Sequence, residues 1–296
     1  MGAVTAPTGA HVGWLVLAVA LHVCGQVSRG VAWRGVLAAS WPHVTRRRVC
    51  AWYVCGAGLS GLLSARGGDA VRAALGKREL ERATWPALAG TLAAEASFES
   101  AFGVSFTLLA VWLGIGTFHA PSPALLAAAV VAGAVAAVLV ARSRLVRRVA
   151  GEVGRGLAVL RRPRCWGCQV LPFQVLSRTL RLGSAACFLL AFGLPVTPAL
   201  VLAGALALGA GAGMPVPGAG PATAAAAMLV ALPLAAGHPL DHGAVASLAI
   251  VWPTALTLVG VTLSLVLLAA LSGARTPRAL LRAARTLRTQ PAPIVP

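Results

Sequence analysis

The sequence predicts an all-α, polytopic membrane protein, and three observations carry that reading. Apolar residues make up 58% of the 296-residue chain, and the mean hydropathy is +0.83. Only 11% of residues are charged, against about a quarter in a soluble domain. Lys and Arg total 25 against 7 Asp and Glu, a formal charge of +18. The arginines cluster between apolar runs, at Arg46-Arg47-Arg48, 142–164 and 275–288. Lys and Arg resist translocation, so this pattern marks loops kept on the cytoplasmic side. Anionic lipid headgroups are the expected partner of that charge. Nucleic acid is not, because no recognition motif accompanies the charge.

Spanning the hydrocarbon core takes about 20 apolar residues. The first candidate is His11 to Gln26, extendable to Trp33. No Lys or Arg precedes it, so it lacks the charged leader of a signal peptide and is expected to remain as a membrane helix. The short run from Val49 to Ala65 has basic flanks on both sides and Gly56, Gly58 and Gly61 within it. A full crossing would place one basic flank outside, so a re-entrant segment returning to the cytoplasm is expected. The next stretch, Arg66 to Arg82, reads as an interfacial helix with Ala70, Val71, Ala74 and Leu75 on its apolar side.

The run from Ala87 to Phe118 carries Glu95 and Glu99, and Ala124 to Ala141 is the cleanest span in the chain. After the basic loop 142–164, a span is expected from about Pro172 to Leu194, with Arg178 and Arg181 near its start. Ala199 to Ala236 is broken in the middle by Pro215, Pro217, Gly218 and Gly220, and its flanks are charge-poor. It is expected to dip in from the outside and return. The last span is Ala244 to Leu271, followed by a basic, Pro-rich cytoplasmic tail, 274–296.

This gives about five full spans plus two interrupted segments entering from opposite faces, as in inverted-repeat transporters. The alternative is seven or eight spans, with both segments crossing. The chain is read as one transmembrane domain, 1–273, with halves of about 1–141 and 165–273 joined by the basic loop 142–164. An inner-membrane, multi-pass location with a cytoplasmic C-terminus follows from the charge pattern.

Three groups of residues could carry chemistry. Arg66, Asp69 and Arg72 recur at a spacing of three and would neighbour one another on a helix. Gly67 and Gly68 allow a turn or a close approach to a ligand. Asp69 could hold one arginine while the other grips a phosphate bidentately; equally, it could cap an interfacial helix. Glu95 and Glu99 share a helix face inside an apolar run, where carboxylates need a cationic partner. Arg66, Arg72, Arg178 and Arg181 are the candidates. An internal charge network of Asp69, Glu95, Glu99, Arg178 and Arg181 is expected, with a headgroup held by Arg66, Arg72, Gly67 and Gly68.

Two other groupings are weaker. Cys165-Trp-Gly-Cys168 is a single CxxC without further ligands, and His238-Pro-Leu-Asp-His242 reads as an exposed loop. No metal or cofactor is expected. No Walker loop or dinucleotide fingerprint occurs, and no catalytic residue is assigned.

The segment Ser64-Ala-Arg-Gly-Gly-Asp-Ala-Val-Arg72 resembles a motif of the flippase-like family named for the transmembrane region of lysylphosphatidylglycerol synthase. Ser64 stands where that family usually has Pro. Arg29 to Arg34 resembles the Arg- and Trp-rich end of its first helix, and Glu95 with Glu99 resembles its acidic pair, Glu99 replacing Asp. The stretch Pro215 to Pro221 resembles its Pro- and Gly-rich break, but the acidic residue that follows there is replaced by Ala222-Thr-Ala-Ala-Ala. The resemblance implies a standalone form without the synthetase domain. It further implies the movement of an anionic, aminoacylated or glycosylated lipid across the bilayer, with a lipid-modifying enzyme as a possible partner. A membrane enzyme acting on a lipid-linked glycan or phosphate, or a non-catalytic member of an envelope-biosynthesis complex, is the alternative.

Overall fold

A computed structural model describes residues 9–112, 151–161, 163–212, 216 and 218–272. Among these residues the regular structure is entirely helical. Expectations for 113–150, including the span at Ala124 to Ala141, and for the tail after Ser272 lie outside the described residues.

The first helix, α1 (Gly9–Ala38), has 30 residues and is about 45 Å long at 1.5 Å per residue. It stops in a turn in which Ser40 and Trp41 donate backbone N–H groups to Leu37, just before Pro42. Next come α2 (Arg46–Leu63) and α3 (Ala65–Glu79), separated only by Ser64. Ser64 has φ 151° and ψ 165° and accepts a hydrogen bond from the Gly67 N–H at 3.1 Å. The chain therefore reverses at a single strained residue, and the two limbs pack along each other. At the base of this hairpin Arg48 pairs with Glu79 at 2.8 Å. The run Val49 to Ala65, expected to return by itself, is only the first limb and ends at the tip. The return is made by α3, so it is 46–79 as a whole that starts and ends at the same end of the molecule. The second limb is not an interfacial helix, however. A Cβ built on Gly68 would strike the Gly56 carbonyl, and Arg72 is only 7% exposed. The missing side chains let the limbs close, and the closure turns Arg72 inward.

Helix α4 (Trp85–Trp112) begins with Pro86 in its first turn and Thr84 as cap, accepting from the Ala87 N–H. Residues 151–156 are helical, Leu157–Arg161 form a 3₁₀ turn, and the short α5 (Pro163–Gln169) leads into α6 (Leu171–Ala191). A second pair follows, α7 (Pro198–Ala212) and α8 (Ala219–Ala236), packed antiparallel so that Gly204 lies beside Leu232. Gly218, at φ 75°, starts the returning limb. Helix α9 (His242–Ser272) is capped by Asp241, whose carboxylate accepts from the Gly243 N–H at 2.9 Å.

The order helix–hairpin–helix thus occurs twice among the described residues, as α1 to α4 and as α6 to α9. The second set runs in the opposite direction. Helix α6 is antiparallel to α1: the Val170 side chain lies beside Gly35, Ser184 donates to the Ala18 carbonyl, and His11 meets the Ala191 carbonyl. Helix α9 starts near the base of the second hairpin and ends beside the first, where the Ser264 hydroxyl contacts the Val54 and Cys55 carbonyls.

Two apolar cores result, and they do not divide along the chain halves. One centres on the Phe188–Trp252 stack but includes Ala18 from α1. The other centres on Trp33, Trp52 and Tyr53 and is joined by Val170 and by Leu267 of α9.

Among the described residues three helices are long and apolar enough to cross a membrane: His11–Ala38, Ala219–Ala236 and His242–Leu271. Helices α4 and α6, of 28 and 21 residues, are long enough but carry Glu95, Glu99, Arg178 and Arg181. Large aliphatic side chains face outward: Val16 and Leu108 are each 65% exposed, Leu234 and Leu258 each 63%. Apolar residues outside and charges inside invert the arrangement of a water-soluble protein.

Candidate functional site

The polar core begins with a stripe on α1. His22, Gln26 and Arg29 follow at four and three residues and lie on one face. Arg29 reaches α4, where it donates to Glu95 at 2.9 Å and also pairs with Glu99. Glu95 is 1% exposed and accepts from Arg72 of α3 at 2.5 Å. Arg72 in turn pairs with Asp69 at 2.8 Å, and Glu99 with Arg178 of α6 at 3.3 Å. Four helices are therefore tied through one chain of ion pairs, Asp69–Arg72–Glu95–Arg29–Glu99–Arg178. Burying so many charges is tolerable only because each finds a counter-charge.

Aromatic rings complete the enclosure. The Arg72 guanidinium lies 4.8 Å from the centre of the Tyr53 ring and 5.2 Å from that of Trp33, and Arg29 lies 5.2 Å from Tyr53. Such faces attract cations and keep water out. The Trp33 indole donates to Thr91 at 3.3 Å, which fixes its plane.

Two of the residues expected to hold a headgroup, Arg72 and Gly68, are engaged in packing and ion pairs. Arg72 is engaged by two carboxylates and two rings and lines neither central cavity. Gly68 serves the contact between hairpin limbs. The Arg66 side chain is outside the described residues. The residues that do meet at the centre come from both hairpin tips. A cavity of about 180 Å³ is lined by Ser60, Gly61 and Ser64 of the first and by Val216, Gly218 and Gly220 of the second. His22 and Gln26 of α1, Arg181 of α6 and Thr257 of α9 add polar groups to its wall. Pro215 and Pro217, expected at the second break, lie outside the described residues, whereas Gly218 and Gly220 are at the tip as expected.

A second cavity, of about 380 Å³, adjoins the first and lies between α1, α4, α6, α7 and α9. His22, Arg181 and Leu208 border both. The sequence reading passed over His22, Gln26 and Trp252; the signal available for the first two was polar residues at helical spacing in an apolar run.

Elsewhere, Cys168 is an exposed free thiol, and the Cys165 side chain is outside the described residues. His238 and His242 are exposed, with Asp241 occupied in capping α9.

No protein-family model, curated protein or solved structure matches the chain.

Proposed function

We propose that the protein is an integral membrane carrier of the flippase-like type, which binds an anionic lipid headgroup and passes it across the inner membrane. The single observation that carries this reading is the meeting of two hairpin tips, entering from opposite ends, at a polar-walled cavity midway along apolar helices. Irregular backbone at membrane depth is stable only inside protein or against a water-filled space. Broken segments in corresponding positions of two inverted halves are where repeat-built transporters hold their cargo.

In this reading α1, α4, α6 and α9 cross fully, and the hairpins enter and return. The end bearing Arg46–Arg48, Lys77, Arg78 and Arg155 faces the cytoplasm. The opposite end, at 9–14, 192–198 and 237–243, has no Lys or Arg, as the positive-inside rule requires of an outer face. A lipid-modifying enzyme working on the same lipid is the natural partner.

The test is headgroup accessibility in vesicles. Purified full-length protein is reconstituted into phosphatidylcholine vesicles containing a trace of fluorescent-headgroup phosphatidylglycerol, and an impermeant quencher is added outside. Protein-free vesicles should lose about half the signal, the outer leaflet alone. Vesicles with protein should lose nearly all of it. Equal loss in both would refute the carrier reading.

A further inference from the structure

In the polar core Glu95 takes Arg29 and Arg72, Asp69 takes Arg72 again, and Glu99 takes Arg29 and Arg178. Arg181 forms no ion pair among the described residues. All seven acidic residues of the chain are described, and none lies within ion-pairing distance of Arg181. Among the described residues no carboxylate therefore pairs with it. A guanidinium in largely apolar surroundings without a counter-charge is costly, and a bound anion removes that cost.

The position of Arg181 is set by α1. A Cβ on Gly25 would sit 3.4 Å from the Arg181 Cγ and 3.4 Å from the Ser177 carbonyl. There α6 packs against α1, and Arg181 borders both cavities. Trp252 lines the larger cavity and carries a second unmatched donor among the described residues. It is 2% exposed, and its indole N–H has no acceptor. Its ring is held by stacking on Phe188, with centroids 5.0 Å apart. Arg178 also lines this cavity, with its Nε–H unpaired. The Ser184 hydroxyl is turned away, to the Ala18 carbonyl. Phe106, Leu182, Leu206 and Leu208 make the rest of the wall apolar, and no carboxylate lines it.

Unmatched N–H donors on one side and hydrocarbon on the other complement an amphiphile that carries an oxyanion. We infer that this second cavity is an oxyanion site, which takes a phosphoryl group against Arg181 and the Trp252 indole and lays an acyl chain along Leu182, Leu206 and Phe106. The inference rests on the carrier reading for the identity of the amphiphile, and places the anion at Arg181 instead of Arg66 or Arg72. Arg suits the role because its planar fork offers parallel donors to two phosphoryl oxygens. The first cavity, across Arg181 and His22, then receives the polar end of the headgroup.

Calorimetric titration of the purified full-length protein in neutral detergent tests this, with three probes: dioctanoyl phosphatidylglycerol, dioctanoylglycerol and inorganic phosphate. The parent should bind the phospholipid saturably and dioctanoylglycerol at least about tenfold more weakly, as expected when a charge-assisted hydrogen bond is lost. Arg181→Gln should weaken phospholipid binding at least about tenfold. Trp252→Phe keeps the stack on Phe188 and removes only the donor, so it should weaken binding by roughly two- to tenfold. Unchanged phospholipid affinity in Arg181→Gln overturns the site and leaves the carrier reading standing. Should Arg181→Gln fail to fold, unchanged affinity in Trp252→Phe overturns it instead. Saturable binding of phosphate with no gain from the acyl chains keeps Arg181 as an anion site and removes the lipid. A parent that binds neither phospholipid nor phosphate overturns both.

Discussion

At the scale of single residues, Glu95 is the keystone of the polar core. Its two oxygens hold Arg29 at 2.9 Å and Arg72 at 2.5 Å, and almost none of it reaches the surface. Removing one partner of a buried pair leaves an uncompensated charge and typically costs about 3–5 kcal/mol. Two arginines depend on this carboxylate, so Glu95→Leu should lower both the yield of monodisperse protein in detergent and its melting temperature. Glu95→Gln keeps one carbonyl acceptor and the side-chain volume. It should express near the parental level yet move headgroups more slowly in the vesicle assay. Equal transport by Glu95→Gln and the parent would show that the ion-pair chain only holds helices together. Asp69, by contrast, is half-exposed and engages only the outer side of Arg72, so its removal should be milder than that of Glu95.

At the scale of elements, the hairpins depend on contacts that allow no side chain. A Cβ on Gly58 of α2 would overlap the Gly260 carbonyl and the Ser264 hydroxyl of α9. Backbone cannot yield as a side chain can, and overpacking of this kind costs about 1–3 kcal/mol or more. Gly58→Ala should therefore lower the melting temperature of the detergent-solubilised protein clearly. Gly13→Ala on α1, where the added Cβ meets nothing within 4 Å, should leave it unchanged. A comparable loss from both would mean that helix flexibility, not close approach, is what these glycines supply. Ser64 belongs to the same argument. Its φ of 151° is closed to proline, whose ring fixes φ near −65°. Serine can hold this turn where proline could not.

At the scale of the whole molecule, the arrangement of charge sets the orientation that the proposed carrier reading requires. Both limbs of the first hairpin end among arginines, and the second hairpin has its base at the end without Lys or Arg. Single cysteines introduced into a background lacking the native six should report this. A cysteine replacing His238 should react with an impermeant maleimide added to intact cells. Cysteines replacing Arg47, Arg144 or Arg278 should react only after the cells are opened. Labelling of Arg47→Cys from outside would mean that the first hairpin crosses the membrane, and the higher span count would replace five.

The sequence by itself determined that the elements are helical and that several are long and apolar enough to span a membrane. Hydropathy and length marked α1 and α9 as spans; the paired basic flanks of 49–65 pointed to a return within that run, whereas the return is made by α3. These are properties of residues and their neighbours along the chain, so a linear reading reaches them. It also marked Asp69, Glu95, Glu99, Arg72 and Arg178 as charges that need partners, because ionised groups in apolar runs are conspicuous. Only the tertiary structure decided which charge meets which. It joined Arg29 to Glu95 across 66 residues of sequence and spent Arg72 on carboxylates. It made α3 the inner limb of a hairpin, because Gly56 and Gly68 let two backbones touch where the sequence pattern shows only a mildly amphipathic basic helix. It also left Arg181, expected in the internal charge network, without an ion pair among the described residues and beside the cavities. Pairing is a matter of distance between elements far apart in the chain, and that distance is set by packing.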